Sequence, residues 1–347
     1  MIPQGSRLAL VLLAAASCDA GPRSSNVSGD PRPAKLRVLG ANVGPSQRLA
    51  ADGVVQVALS RYLLPSSVTR QSMGIVDAFG QPLGAPLVAY DPVARTVTLA
   101  NPSPGKPWLI EDQLYKITLG VPEEGAEIGG FRTLDRGTLV EPFTLSFLAG
   151  PPEGKGAGEP KVSFCADVLP LLLQKCASCH SGSERASAGL LLDSSNHVAA
   201  TAIGRVAHGS SNGGPATASS PGRTFVVNMP LVDRGNPANS WLLYKILMAP
   251  FPSVDAGAPP SPACQPPVPP RSLDYTPLVP VAELPEPAEQ QLLRDMILGQ
   301  EMPPPSPASA GYAGQPLTFA ERERVRLWIA QGADVYECGA CGSGKAP

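Results

Sequence analysis

Cys176-Ala177-Ser178-Cys179-His180 sets two thiols three positions apart, with an imidazole directly after the second. On one helical turn each thiol can form a thioether to a haem vinyl group, and the next residue then lies under the iron. The spacing therefore reads as the attachment of one covalent haem c, with His180 as an axial ligand. A dithiol redox pair would come with a βαβ pattern, and a zinc site with a second Cys or His pair at finger spacing; neither accompanies the motif. Gly209-Ser210-Ser211-Asn212-Gly213 has the spacing of a nucleophile elbow, but that arrangement needs a His later in the chain. All three histidines precede Ser211. No catalytic residue is assigned and an enzyme is not expected; the chain reads as an electron carrier or an accessory subunit of a redox enzyme.

A haem iron with one imidazole takes its sixth ligand from elsewhere in the chain. A distal thioether must come from a loop that can be held in place. Glu301-Met302-Pro303-Pro304-Pro305 follows an expected helix that stops at Gly299, and its prolines stiffen the exit, so Met302 is the candidate. Met229, Met248, His197 and His208 are the alternatives. Met296 belongs to an apolar stripe with Leu292, Leu293 and Ile297, which reads as core.

The elements that must position these residues are bounded by composition. With 347 residues, 43% of them hydrophobic, and a net charge of −2, the chain can build two cores and advertises no nucleic-acid partner. Residues 1–17 read as an export signal, with Arg7 as its charged region, Leu8 to Ala16 as its apolar run and small residues closing on Cys18. Leu13-Ala14-Ala15-Ala16-Ser17-Cys18 resembles a bacterial lipobox, with Ala15 where Leu is usual, which implies cleavage before Cys18 and its acylation. Residues 18–34 read as a flexible tether, so the expected location is the bacterial cell envelope, periplasmic or outer-surface, with a lipid anchor in a membrane.

From 35 to 149 the apolar pattern has period two. Thr96-Val97-Thr98-Leu99 and Tyr115-Lys116-Ile117-Thr118-Leu119 are β-branched runs bounded by turn residues, which predicts a β-sandwich. The order Leu63 to Val68, Tyr90-Asp91-Pro92, Leu114 to Ile117 and Phe143 to Phe147 resembles the bacterial Ig-like domains of surface-layer and exported proteins. That resemblance implies a spacer or adhesive module without haem ligands. Residues 150–160 read as a Gly-rich linker.

Residues 161–336 carry helical signals. Val168 to Leu173 lead into the haem motif, and Pro237 to Met248 and Pro287 to Gly299 are each opened by a proline. Thr318 with Glu321 forms a capping box before Val325, Trp328 and Ile329, and Gly332 sits where a helix should close. Val162-Ser163-Phe164, Asp167-Val168-Leu169-Pro170, Cys176 to His180, Gly189 to Asp193, Gly235-Asn236-Pro237 through Ser240 to Leu243, Met302-Pro303-Pro304 and Trp328 to Ala333 follow in that order. Together they resemble the planctomycete-type cytochrome c domains. The resemblance implies an all-α cytochrome c fold around one haem, with His180 proximal and Met302 distal, lengthened by insertions around His208 to Gly222 and Ser253 to Arg271.

Residues 337–347 form a Gly/Cys tail. Cys165, Cys264, Cys338 and Cys341 remain once haem and lipid are assigned, an even number that suggests two disulfides in an exported chain. Since the cytochrome c fold packs its first and last helices together, the resemblance implies Cys165 paired with Cys338 or Cys341. A local Cys338–Cys341 redox pair is the alternative. The expected function is one-electron transfer with an unidentified redox partner protein. The alternative is an envelope binding or structural protein whose haem domain is structural or senses a diatomic gas.

Overall fold

The computed structural model describes residues 35–45, 47–103, 106–123, 126, 128–154, 159–182, 187–211, 225–226, 228–251, 277–279, 287–304 and 315–338. The signal, the tether, most of the tail and the 253–271 insertion lie outside them. Two four-stranded sheets occupy the first half. One has the order β1 (Val38–Ala41), β3 (Val55–Leu59), β6 (Thr96–Ala100), β5 (Leu87–Asp91), and the other β2 (Arg48–Ala50), β8 (Phe143–Gly150), β7 (Leu114–Leu119), β4 (Met73–Asp77). All neighbours are antiparallel except β2 and β8. Alternation decides what faces inward: Val55, Val57 and Leu59 on β3 and Tyr115, Ile117 and Leu119 on β7 are buried in one core, as the two-residue period of a strand requires.

The second half holds α1 (Leu169–Lys175), α2 (Ser195–Thr201), α3 (His208–Ser211), α4 (Trp241–Leu247), α5 (Pro287–Met296) and α6 (Phe319–Ala330). A π-type turn at Phe164–Val168, capped by Ser163, leads directly into α1. The Thr318 hydroxyl accepts from Glu321 N–H, and the Glu321 carboxylate accepts from Thr318 N–H, which closes the capping box of α6. The start and end of this half meet: Phe164 packs on Trp328 with ring centroids 5.4 Å apart, and Cys165 is disulfide-bonded to Cys338. A crosslink between residues 173 positions apart removes loop entropy from the unfolded chain worth about 5 kcal/mol in the chain-entropy model.

The expectation of a β-sandwich followed by an all-α cytochrome c fold is overturned. The molecule is a mixed α/β protein, 25% helical, in which loop residues of the first half pack into the core of the helices. The helices of the second half are short, four of them spanning seven residues or fewer. Extended segments join them, with bridges at Ile203–Val232 and Val206–Pro230. Glycine and proline are the physical reason: Gly204, Pro230, Gly235 and Pro237 interrupt the apolar periodicity before a helix can propagate. Tyr62, Leu64, Val93 and Leu134 from the first half also sit in the same apolar cluster as α1, α4 and α6.

Ion pairs reinforce this junction. Arg61 donates to Glu289 on α5 and to both carboxylate oxygens of Asp135, at 3.0 Å each, while Glu289 also accepts from Tyr62 N–H. Arg326 on α6 faces three carboxylates: Asp91 on β5 at 3.2 Å, Glu323 at 2.9 Å and Glu159 at 2.6 Å. One guanidinium shared with the exposed Glu159 cannot balance the two enclosed carboxylates of Asp91 and Glu323. Burial, then repulsion from Asp91, pushes the Glu323 carboxyl well above the ordinary 4.5, and burial raises Asp91 as well despite Arg326. The folded chain thus holds protons that the unfolded chain has lost. Stability from this cluster is full below the unfolded carboxylate values and falls as pH rises through the raised folded ones. Glu323→Gln should therefore stabilise the protein more at pH 8 than at pH 5. Urea unfolding at both values tests this, and an equal effect at the two would reject the raised carboxyl.

Candidate functional site

The haem motif closes α1. Cys176 N–H and Ala177 N–H both donate to Leu172 O at 2.9 Å, and Cys179 N–H and His180 N–H both return to Cys176 O, at 3.2 and 3.0 Å. The five residues therefore form one continuous turn, and both thiols remain unbonded. Next to it, Lys175 is 3% exposed and donates through Nζ to Gln315 O and Pro316 O, tying this turn to the segment that enters α6. Burial lowers the Lys175 pKa, opposed by Glu321. Cys176 packs against the helical core, and burial pushes its thiol up to about 12.

His180 is buried, and its Nδ1 lies 3.2 Å from Leu190 O. A carbonyl can only accept, so Nδ1 carries the proton and Nε2 carries the lone pair, the tautomer a metal-binding imidazole needs. Gly189, at φ +69°, turns the chain so that Leu190 can follow in this position. The strap 190–193 is held at several further points. Leu192 N–H donates to His180 O at 2.7 Å, and Leu191 N–H donates to the Thr201 hydroxyl at 3.0 Å. Asp193 accepts from Gly182 N–H and pairs with His197 on α2. Burial would raise Asp193, but the His197 and Gly182 hydrogen bonds outweigh it and hold the carboxyl below its usual range.

Met302 lies on a separate loop after α5. Its N–H donates to Lys245 O on α4 at 2.9 Å, and Lys245 Nζ donates to Leu298 O at 3.0 Å. Arg294 holds Glu301 at 2.9 Å. Cys176, Leu190 and Leu298 all pack against the same large apolar cluster. Of the alternative ligands, Met229 and Met248 are buried at 1% exposure, His197 is half exposed in its Asp193 pair, and His208 is exposed at the start of α3. Met296 is buried in the helical core. Cys18, Cys264 and Cys341 lie outside the described residues. Among the described residues no cluster of three or more His, Cys, Asp and Glu side chains is placed to hold a metal ion, and no helix is long and apolar enough to cross a membrane.

Sequence reasoning passed over Lys175, Thr201 and Lys245. A lysine inside Trp241-Leu242-Leu243-Tyr244-Lys245-Ile246-Leu247 was the available signal, since a cation amid six apolar neighbours must be satisfied from within. The carbonyls of Leu190 and Lys245 have no side-chain signature at all.

No family model matches the chain, and no curated protein matches it. Among solved structures, 38% of the chain aligns with the N-terminal part of the bacterial S-layer protein SbsC at 12% identity and a TM-score of 0.25, covering 26% of that chain. Another 37% alignment is to native alpha-2-macroglobulin from Escherichia coli spanning domains MG0-NIE-MG1, at 14% identity and a TM-score of 0.24, covering 34% of that chain. The chain spans about a quarter of the first of these structures and a third of the second. Neither likeness assigns fold or function at these scores.

The two thiols should differ sharply in protein prepared without haem. Burial pushes the Cys176 thiol up to about 12, so at pH 8 iodoacetamide should modify it at least roughly tenfold more slowly in the folded chain than in urea. Peptide mass mapping reads this directly. Equal rates in the two states would place Cys176 outside the core.

Proposed function

We propose that this chain is an exported mono-haem c-type cytochrome that carries single electrons at the cell envelope, anchored by a lipid on Cys18. The observation that carries the reading is the closed Cys176–His180 turn with His180 Nδ1 committed to Leu190 O. The donor set fits a haem: two thiols at thioether spacing, an imidazole in the metal-binding tautomer, and a methionine on a tethered loop. A bound haem c would supply a one-electron iron couple.

The chain's own residues supply the rest. Cys176 and Cys179 would hold the porphyrin edge, and α1 fixes them because their main chain continues its hydrogen bonds. Leu190 O holds the imidazole proton on Nδ1, so Nε2 is the nitrogen that would bind a metal. Met302 would complete the coordination, and a soft sulfur favours the reduced state and a raised potential. Such six-coordination leaves no position for a substrate, which suits an electron carrier that meets a redox partner protein. The likeness of residues 161–336 to planctomycete-type cytochrome c domains supports this reading through its motifs alone. Resemblance to bacterial Ig-like domains supports a spacer role for residues 35–149.

Three outcomes are expected of protein made in a host competent for c-type maturation. Haem should stay on the polypeptide through acid–acetone extraction and add one haem mass; its release would overturn covalent attachment. Met302→Ala should abolish the weak far-red thioether-to-iron absorption, lower the potential and admit carbon monoxide to the reduced iron. Ready carbon monoxide binding by the wild type would instead point to gas sensing. Radiolabelled palmitate should enter the wild type and not Cys18→Ala, and equal labelling would reject the lipid anchor.

A further inference from the structure

We infer that Lys245 is the positioning residue for Met302, holding the loop 298–302 from both ends; the inference rests on Met302 as the sixth ligand. Lys245 lies on α4, where every residue is buried, and it is itself only 9% exposed. A charged ammonium at such a position costs free energy that a methionine of similar length would avoid. What the lysine does there is specific. Its carbonyl accepts the Met302 amide proton at 2.9 Å, and its Nζ donates to Leu298 O at 3.0 Å, a carbonyl two residues past the end of α5. A cation at that end of a helix also meets the negative pole of its dipole.

Between these two bonds lies Gly299, at φ +84°, where a Cβ would come within 3.1 Å of Lys245 Nζ. The loop therefore passes so close to the ammonium that a side chain would crowd it. Glu301, 7% exposed, is tied back to Arg294 on α5 at 2.9 Å, so the residue preceding Met302 is also fixed. A loop with main chain and flanking side chain secured loses little further entropy when its thioether binds a metal, which is the condition for a weak, neutral ligand to stay in place.

The test uses full-length holoprotein carrying Lys245→Met or Gly299→Ala, neither of which removes a proposed ligand. Far-red thioether-to-iron absorption, carbon monoxide binding to the reduced form, and amide hydrogen exchange across 298–302 are measured together, with far-UV circular dichroism as the folding control. Lys245→Met should speed exchange at Met302 at least tenfold, weaken the far-red band and raise carbon monoxide affinity at least tenfold, with the circular dichroism unchanged. Gly299→Ala strains a backbone held at φ +84° as well as crowding the ammonium and should shift all three in the same direction, and all three unchanged in that variant would overturn the inference should Lys245→Met fail to fold. A wild-type band that survives undiminished in the folded variants, with unaltered exchange, overturns the role of Lys245 and leaves Met302 as ligand. Absence of the band from wild type overturns the Met302 reading, and this inference with it.

Discussion

Burial of charge on α6 is the constraint around which the molecule is organised. Nine consecutive residues of this helix, Glu321 to Ile329, are buried, and five of them are charged: Glu321, Arg322, Glu323, Arg324 and Arg326. A helix so enclosed must have each charge answered by a neighbour, and the answers come from all over the chain. Arg322 donates to the carbonyls of Leu317, Ala249 and Pro250 and stacks on Phe251, and Arg326 takes Asp91 from β5 and Glu159 from the linker. Burial brings the Arg322 pKa down to about 10, still far enough above neutrality to keep it charged. Because these partners belong to both halves, sandwich and helices close on one another rather than hang from a free linker. Asp52 adds to this by accepting from Glu153 N–H and Gly154 N–H at the first half's exit.

That arrangement explains why the Cys176–His180 turn can be held at the end of so short a helix. α1 alone has seven residues, too few to hold a cofactor turn by helical propensity. The π-type turn before it is bonded to the tail through Cys165–Cys338 and through Ser163 with Tyr336, and Lys175 reaches to the entry of α6. Tertiary contacts thus replace length as the source of rigidity.

Much of the chain was legible where local chemistry and tertiary demand agree. The runs 96–99, 115–119 and 143–147 fall on β6, β7 and β8, Thr318 and Glu321 form their capping box, and the proline-opened segments become α4 and α5, with Pro237 in a 3-10 turn just ahead of α4. What was not legible has a physical cause in each case. Nothing local to Arg326 reveals that Asp91 and Glu159 will meet it, so the closeness of the two halves was missed. The all-α expectation assumed that motifs at familiar spacing would be joined by helices, whereas glycine and proline leave extended bridges at 203–206 and 230–232. Lys245 was missed because its role lies in its own carbonyl as much as in its ammonium.

The candidate ligands share a further property, which is that each has a main-chain carbonyl as a direct hydrogen-bond partner. His180 is oriented by Leu190 O, and Met302 is located by its own N–H on Lys245 O. Main-chain acceptors cannot be substituted away, so side-chain exchange at Leu190 leaves the imidazole's partner in place. Changes that alter backbone course act differently: a residue with a Cβ at Gly189 or Gly299 must be forced into φ values of +69° and +84° that glycine adopts freely. Such a site tolerates drift in the side chains around it while fixing a few glycines and the positions that anchor the straps. The candidate site is specified less by the side chains around His180 and Met302 than by how the chain is turned to present them.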